Sequence, residues 1–242
     1  MAFVHLRSHT EFSVVDGTVR IDDLVKAAAK DGQPAVAVTD LSNLFGAVKL
    51  YSAARKKGVQ PIIGADVWIE PEESGKTPTR LLLLIQNRQG YLRLCELLGE
   101  AWTAPGQRSH AWVHWASLAA NNAGLICLSG ADLGSIGQAL INGDAAKAEA
   151  QATRLAETFP GRFYIELQRA GHPTNETHIR GAVPLAAKLG LPVVATHPIQ
   201  FSTPDDFEAH EARTCIAEGE TLGNPRRIKR FTREQYFKTG AE

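Results

Sequence analysis

An α/β barrel is the fold this sequence predicts, and three observations predict it. Apolar runs such as Ala35-Val36-Ala37-Val38 and Leu81-Leu82-Leu83-Leu84-Ile85 are near-continuous, which is how strands buried on both faces of a parallel sheet read. Helical patterns separate these runs, so strand and helix alternate along the chain, as in a closed barrel or an open doubly wound sheet. The open sheet needs a phosphate-binding glycine fingerprint after a strand, and the nearest cluster, Ser129-Gly130-Ala131-Asp132-Leu133-Gly134, has the wrong spacing. A barrel also explains why Arg7, His9, Asp40, Asp66, Arg169 and His197 all fall near strand C-terminal ends, where barrels carry their chemistry.

The elements follow in order. Strands are expected at 3–7, 35–40, 61–70, 80–86, 125–130, 163–168 and 192–201. A helix over 21–30 places Ile21, Leu24, Val25 and Ala28 on one face and stops at Gly32. Ser42 can cap a helix over 43–57, which ends in Lys56-Lys57-Gly58, cations and then a glycine. Further helices are expected at 88–102, at 174–189 before Gly190-Leu191-Pro192, and at 204–217. Asp144 can cap an alanine-rich helix that ends before Pro160-Gly161. The polar stretch 70–79 reads as a hairpin turn and 104–110 as a loop, while Arg226-Arg227 and Lys229-Arg230 read as a solvated basic tail.

Composition excludes little but points one way. The 242 residues suit one barrel-sized domain, and 26 basic residues balance 26 acidic ones, so no net charge advertises a nucleic-acid or membrane partner. Cys95, Cys127 and Cys215 form no C-x-x-C pair and read as reduced core thiols. No signal sequence or membrane-length apolar run is present, and a cytoplasmic location is expected. The chain ends without a stop signal after Gln235-Tyr236-Phe237-Lys238, as a piece of a longer protein would.

The opening, Phe3-Val4-His5-Leu6-Arg7-Ser8-His9-Thr10-Glu11-Phe12-Ser13 with Asp16-Gly17, runs an apolar strand into imidazole, guanidinium and carboxylate. Histidine and acid packed so densely after a strand look like a metal site. Arg7 in their midst is a fixed cation among ligands for another cation. His9 alone reads equally as a hydrogen-bonded structural histidine. Asp40 reads either as part of the site or as an orienter of the helix that follows. His110 and His114, among Trp112 and Trp115, read as packing or surface.

This opening resembles the PHP (polymerase and histidinol phosphatase) domain family, together with Val38-Thr39-Asp40-Leu41-Ser42-Asn43-Leu44-Phe45-Gly46 and Pro61-Ile62-Ile63-Gly64-Ala65-Asp66. Phe163-Tyr164-Ile165-Glu166-Leu167-Gln168-Arg169 and Leu191-Pro192-Val193-Val194-Ala195-Thr196 fit the same family in the same order, and the likeness is to the PHP domains of bacterial replicative DNA polymerases. It implies a distorted TIM-like (β/α)7 barrel, the PHP fold, over residues 1–242, with the polymerising parts and their magnesium beyond it.

Active members of the family hold three metal ions, and the resemblance implies that most ligands are lost here. Arg7 stands where the first histidine belongs, with His9 and Asp16 kept. Leu41 replaces the histidine after Asp40, Asp66 shortens a glutamate, and Arg80 replaces a further histidine. Ala170, Pro198 and Gln200 occupy the remaining ligand positions. Three ions need about nine ligands, so no metal is expected. Arg7 and Arg80 are instead expected to pair with Asp16 and Asp66, standing in for the ions electrostatically.

The resemblance therefore implies a non-catalytic scaffold that stabilises the polymerase and contacts a separate proofreading exonuclease subunit. The competing reading is a metal-dependent phosphoesterase, either a 3'-5' exonuclease or a pyrophosphatase, holding zinc or manganese on His9, Asp16, Asp66 and His197, with His172 also near a lost position. A third reading keeps Arg7 and Arg80 as a phosphate-binding pair without hydrolysis.

Overall fold

The computed structural model describes residues 3–71, 77–104 and 111–242; the expected turn at 70–79 and loop at 104–110, with His110, lie partly outside them. In chain order the elements are β1 (Arg7–Ser8), α1 (Ile21–Lys30), β2 (Ala35–Val38), α2 (Ala47–Lys57), β3 (Gln60–Ile69), β4 (Thr79–Ile85) and α3 (Arg88–Thr103). Then come β5 (Trp112–Val113), α4 (Trp115–Ala120), β6 (Leu125–Leu128), α5 (Ser135–Ile141), α6 (Ala145–Thr158) and β7 (Phe163–Gln168). The last are α7 (Asn175–Leu189), β8 (Val193–Thr196), β9 (Pro198–Ile199) and α8 (Phe207–Glu218). The chain divides into two compact units, Met1–Ile63 with Ala170–His172 and His197–Glu242, and Gly64–Arg169 with Pro173–Thr196.

In the first unit β1 pairs parallel with β9, and β2 pairs parallel with residues 60–63 of β3. The α1 face foreseen from spacing is the buried one: Ile21, Leu24, Val25 and Ala28 pack with Val36, Val38, Leu50 and Ile199. The expected strand at 3–7 is shorter, a single bridge from His5 to Val36 followed by β1. The helix expected from 43 begins at Ala47, and Ser42 does not cap it. Ser42 has φ 53°, and Asn43 accepts from Phe45 N while its Nδ2 donates to the Phe12 and Leu41 carbonyls. That local turn offers the backbone an alternative to helix and delays the helix start.

In the second unit β4 runs antiparallel to β3, as the hairpin reading of 70–79 implies, and also antiparallel to β6, which departs from the expected parallel sheet. The residues between β3 and β4 are too few for a parallel crossover, which accounts for the antiparallel pairing of these two strands. β5 was not foreseen; it pairs parallel with Trp68 and Ile69. The remaining pairs, β6–β7 and β7–β8, are parallel. The expected cap at 144 is in place, with Asp144 accepting from Lys147 N, and α3 is capped by Asn87, not foreseen, accepting from Gly90 N.

Two smaller expectations are corrected. Cys127 and Cys215 are buried, but Cys95 is exposed on α3. The basic tail is not merely solvated, because Arg227 pairs with Glu211 at 2.6 Å and Arg230 with Glu218 at 2.6 Å. Among the described residues no helix is long and apolar enough to cross a membrane.

Candidate functional site

The first unit holds the residues of the opening stretch. Both are buried: Arg7 lies in β1 opposite Pro198, and His9 follows it, donating its backbone N–H to the Ile199 carbonyl at 2.9 Å. The His9 Nδ1 lies 3.0 Å from both oxygens of Asp16, and Ser13 Oγ donates to Asp16 Oδ1 at 2.6 Å. His210 Nε2 donates to the Asp16 carbonyl at 2.8 Å. His9 and Asp16 are therefore brought together, with Gln200 Nε2 3.4 Å from the same imidazole nitrogen.

Asp40 does not cap the following helix. Its Oδ1 accepts from Thr10 N at 2.6 Å and its Oδ2 from Thr10 Oγ1 at 2.9 Å, so it ties the loop after β2 to the loop after β1. Burial pushes its carboxyl up to about 6, against the Thr10 hydrogen bonds, which favour the charged form. Gly46 fits beside it because a Cβ there would stand 2.8 Å from Ile21 Cδ1 and 3.2 Å from Asp40 Oδ2. Leu41 gives its N–H to Ser13 Oγ at 3.0 Å.

The other candidates of this unit are held by backbone. His197 Nε2 donates to the Tyr236 carbonyl at 2.9 Å, and burial lowers its imidazole to about 4. Its ring lies 5.9 Å from that of His5, whose Nε2 contacts the Lys238 carbonyl at 2.8 Å. Ala170 is buried and its carbonyl accepts from Thr232 Oγ1.

In the second unit Asp66 and Arg80 form one structure. The antiparallel register sets Arg80 opposite Trp68 and Leu82 opposite Asp66, so Arg80 and Asp66 share a face one pleat step apart. Arg80 Nε donates to Asp66 Oδ1 at 3.1 Å and Nη2 to Oδ2 at 2.8 Å, and the guanidinium lies 4.3 Å from the centre of the Trp68 ring. Side-chain exposure is 6% for Arg80 and 0% for Asp66. Both carboxylate oxygens thus face a buried, bidentate, ring-stacked cation. Arg169, also picked out by chemistry, is at the surface, pairing with Glu176 at 2.6 Å.

Reading the sequence for ligands missed the polar interior of this unit. Glu166 is fully buried in β7 and accepts from Gly130 N, Gln168 Nε2 and Thr196 Oγ1 at 3.1, 3.0 and 2.5 Å. Asp132 accepts from Thr174 Oγ1 and Asn175 Nδ2. A carboxylate inside the apolar run 163–167 was the available signal for the first. For the second it was an acid within the glycine cluster set aside for its spacing.

The residues present do not fit a polynuclear metal centre. Among the described residues no group of three or more histidines, cysteines, aspartates or glutamates is placed to hold an ion. Asp66 is engaged on both oxygens by Arg80, and positions 41, 170 and 198 offer no donor side chain.

Apolar strands alternating with helices, and a histidine–aspartate pair beside β1, define an α/β domain of the kind that the family comparison names. The PHP domain profile matches residues 5–170, and the chain belongs to the PHP domain family. It is 47% identical over 245 residues to the DNA polymerase III subunit alpha of Pseudomonas aeruginosa, a match covering 100% of this chain and 21% of that protein. It is 39% identical over 240 residues to the DNA polymerase III subunit alpha of Escherichia coli K12, covering 99% of this chain and 21% of that protein. The chain thus spans about a fifth of the length of the curated relatives it matches. Among solved structures it is similar to an amidohydrolase from Chromobacterium violaceum with bound sulfate and no metal. The TM-score is 0.60 at 15% identity, over 87% of this chain and 96% of that one. That likeness establishes the α/β fold these proteins share, and nothing further.

Proposed function

We propose that residues 1–242 are one PHP domain of a bacterial DNA polymerase III alpha subunit, acting in DNA replication as a non-catalytic scaffold. In this reading DNA-directed polymerisation, with its magnesium, belongs to the rest of the subunit. The domain stabilises that subunit in the cytoplasm and binds the proofreading exonuclease. Its former metal positions, Arg7, His9, Asp16, Asp40, Asp66 and Arg80, are vestigial.

The observation that carries this reading is the Arg80–Asp66 pair. A guanidinium with two hydrogen bonds to a fully buried carboxylate supplies the positive charge an ion would otherwise bring. The phosphoesterase alternative, with zinc or manganese on His9, Asp16, Asp66 and His197, requires Arg80 to release Asp66 and His197 to turn from the Tyr236 carbonyl. The phosphate-binding alternative likewise competes with Asp66 for Arg80.

Metal content tests it. The chain is dialysed to equilibrium against zinc and then manganese, bound metal is assayed by elemental analysis, and His9→Ala serves as control. Absence of stoichiometric metal is the expected result. One or more tightly bound ions, lost in His9→Ala, would put the phosphoesterase in first place.

A further inference from the structure

One side of α3 is apolar along most of its length and exposed. The helix buries Gly90, Arg93, Leu94, Leu97, Leu98 and Ala101. On the other side Tyr91 is 42% exposed, Leu92 52% and Trp102 63%, with Cys95 and Gly99 exposed between them. Residues 91, 95, 99 and 102 are spaced by four, four and three, which sets them in one line down a helix face. Tyr91 stands at one end, its hydroxyl in hydrogen-bond contact with the Cys95 thiol, and Trp102 at the other. Between them Gly99 leaves a gap, since a Cβ there would meet no atom within 4 Å. Large apolar side chains grouped on one face mark an interaction surface.

The charges of α3 run against its own dipole. Arg88 stands in a first turn without acids, and Glu96 and Glu100 lie in a second half without bases. A helix is stabilised by the opposite order, as in α1, where Asp22 and Asp23 lead and Lys30 closes. Arg93 serves both acids, 3.1 Å from Glu96 and 3.8 Å from Glu100, so two negative charges share one positive. Arg88 makes no ion pair among the described residues.

Turned end for end about Cys95, this face is complementary to itself. Tyr91 falls opposite Gly99, a ring over a gap, and Arg88 falls opposite Trp102 and within one turn of Glu100. A guanidinium there meets an indole and an acid, and unlike helix ends lie side by side. A parallel pairing would set ring on ring and like charge beside like. The other exposed apolar clusters lack this property. Val48 and Tyr51 on α2 lead into Arg55, Lys56 and Lys57, and Ile228 stands among Arg226, Arg227 and Lys229. Neither run, 47–57 or 226–230, contains an acid, so neither offers opposite charge to its own copy.

We infer that the exposed face of α3 pairs, antiparallel about a two-fold axis at Cys95, with the same face of a second copy of this chain. One helix of 16 residues makes a small contact, so the pairing is reversible, with a dissociation constant on the order of 0.1 mM.

Sedimentation equilibrium under reducing conditions, from tenfold below to tenfold above that constant, tests it. The parent is expected to pass from monomer to dimer. Gly99→Arg fills the gap at an exposed helix position that accepts a side chain, and is expected to weaken pairing at least tenfold at unchanged melting temperature. Arg88→Glu is expected to weaken it also, and Arg88→Glu with Glu100→Arg to restore it, because both members of each contact are exchanged. Val48→Ser with Ile228→Ser, on the other clusters, is expected to pair as the parent does. Diamide gives a second readout, taking two electrons and two protons from a pair of thiols to leave a disulfide. Cys127 and Cys215 are buried, so the parent is expected to link through Cys95, and Gly99→Arg, which keeps Cys95, to link at least tenfold more slowly. A parent that stays monomeric throughout overturns the inference and leaves the face to a different polypeptide. A dimer that tolerates both Gly99→Arg and Arg88→Glu, or that is lost in Val48→Ser with Ile228→Ser, overturns it in favour of another face. Loss in Arg88→Glu without recovery in the exchanged variant overturns the antiparallel arrangement.

Discussion

Asp66 is fully buried and Arg80 holds both of its carboxylate oxygens, and most of the energetic consequence lies in the asymmetry of removing one member. Removing one member of a buried pair leaves the other uncompensated, at a cost of about 3–5 kcal/mol. Arg80→Met is expected to lower the unfolding free energy by about that amount in urea titration. Adding Asp66→Leu should recover part of the loss, because the buried carboxylate that Arg80 held is then gone; a single variant within about 1 kcal/mol of the parent would refute a structural role. Asp40 behaves in the opposite sense. Its folded carboxyl is raised from 3.8 to about 6, so the folded state binds the proton more tightly and stability falls as pH rises from about 4 to 6. Asp40→Asn keeps an acceptor for Thr10 N and is expected to flatten that window by about 2–3 kcal/mol, measured as unfolding free energy against pH. The sequence placed Asp66 and Arg80 in expected strands and the resemblance implied an arginine–aspartate pairing, which is brought about by a register that no local pattern specifies.

Elements here are set by their ends more than by propensity. Asn87 opens α3 by accepting from Gly90 N at 3.0 Å, and Asn87→Ala is expected to cost about 1 kcal/mol in chemical denaturation. Gly90 is a harder constraint, because a Cβ there would stand 1.9 Å from the Gly124 carbonyl oxygen. Only glycine lets α3 approach the turn before β6 so closely, and Gly90→Ala is expected to destabilise by more than Asn87→Ala. α1 was legible because its apolar stripe and its charged ends agree. The start of α2 was not, because the side chain of Asn43 competes with helical hydrogen bonding through contacts to Phe12, distant in sequence. β4 was read with the right length, and the hairpin reading of 70–79 agrees with its antiparallel pairing to β3, but its antiparallel pairing to β6 was not foreseen. Strand composition reports burial on both faces, not the sense of the neighbouring strand.

Across the whole molecule, buried neutral histidines govern the response to acid. Burial lowers the imidazoles of His5, His178, His197 and His210, and among the described residues neither ring nitrogen of His178 has a hydrogen-bond partner. In the unfolded chain these groups bind protons near 6.5, but in the fold they resist until pH falls further, to about 4 for His197. Their stabilisation is complete above pH 6.5 and is lost as pH falls from there toward 4. The chain is therefore expected to lose urea resistance across that window despite the opposing slope from Asp40, and a midpoint constant from pH 7 to pH 4 would contradict this. A ligand that binds only the folded state raises its stability. If the former metal positions are vestigial, the thermal midpoint should be the same in manganese, zinc and chelator, and a rise of several degrees in either metal would count against the scaffold reading.

The amino-acid order by itself determined the α/β class, the apolar faces, most helix bounds and the family, because periodicity, capping residues and motif spacing are local properties of a chain. Only the tertiary structure decided that β4 also pairs antiparallel with β6, that Asp40 binds Thr10 rather than a helix end, and that Glu166 and Asp132 are buried polar anchors. These depend on which distant groups meet once the chain is packed, and a buried carboxylate takes whatever donors that packing brings within hydrogen-bond reach.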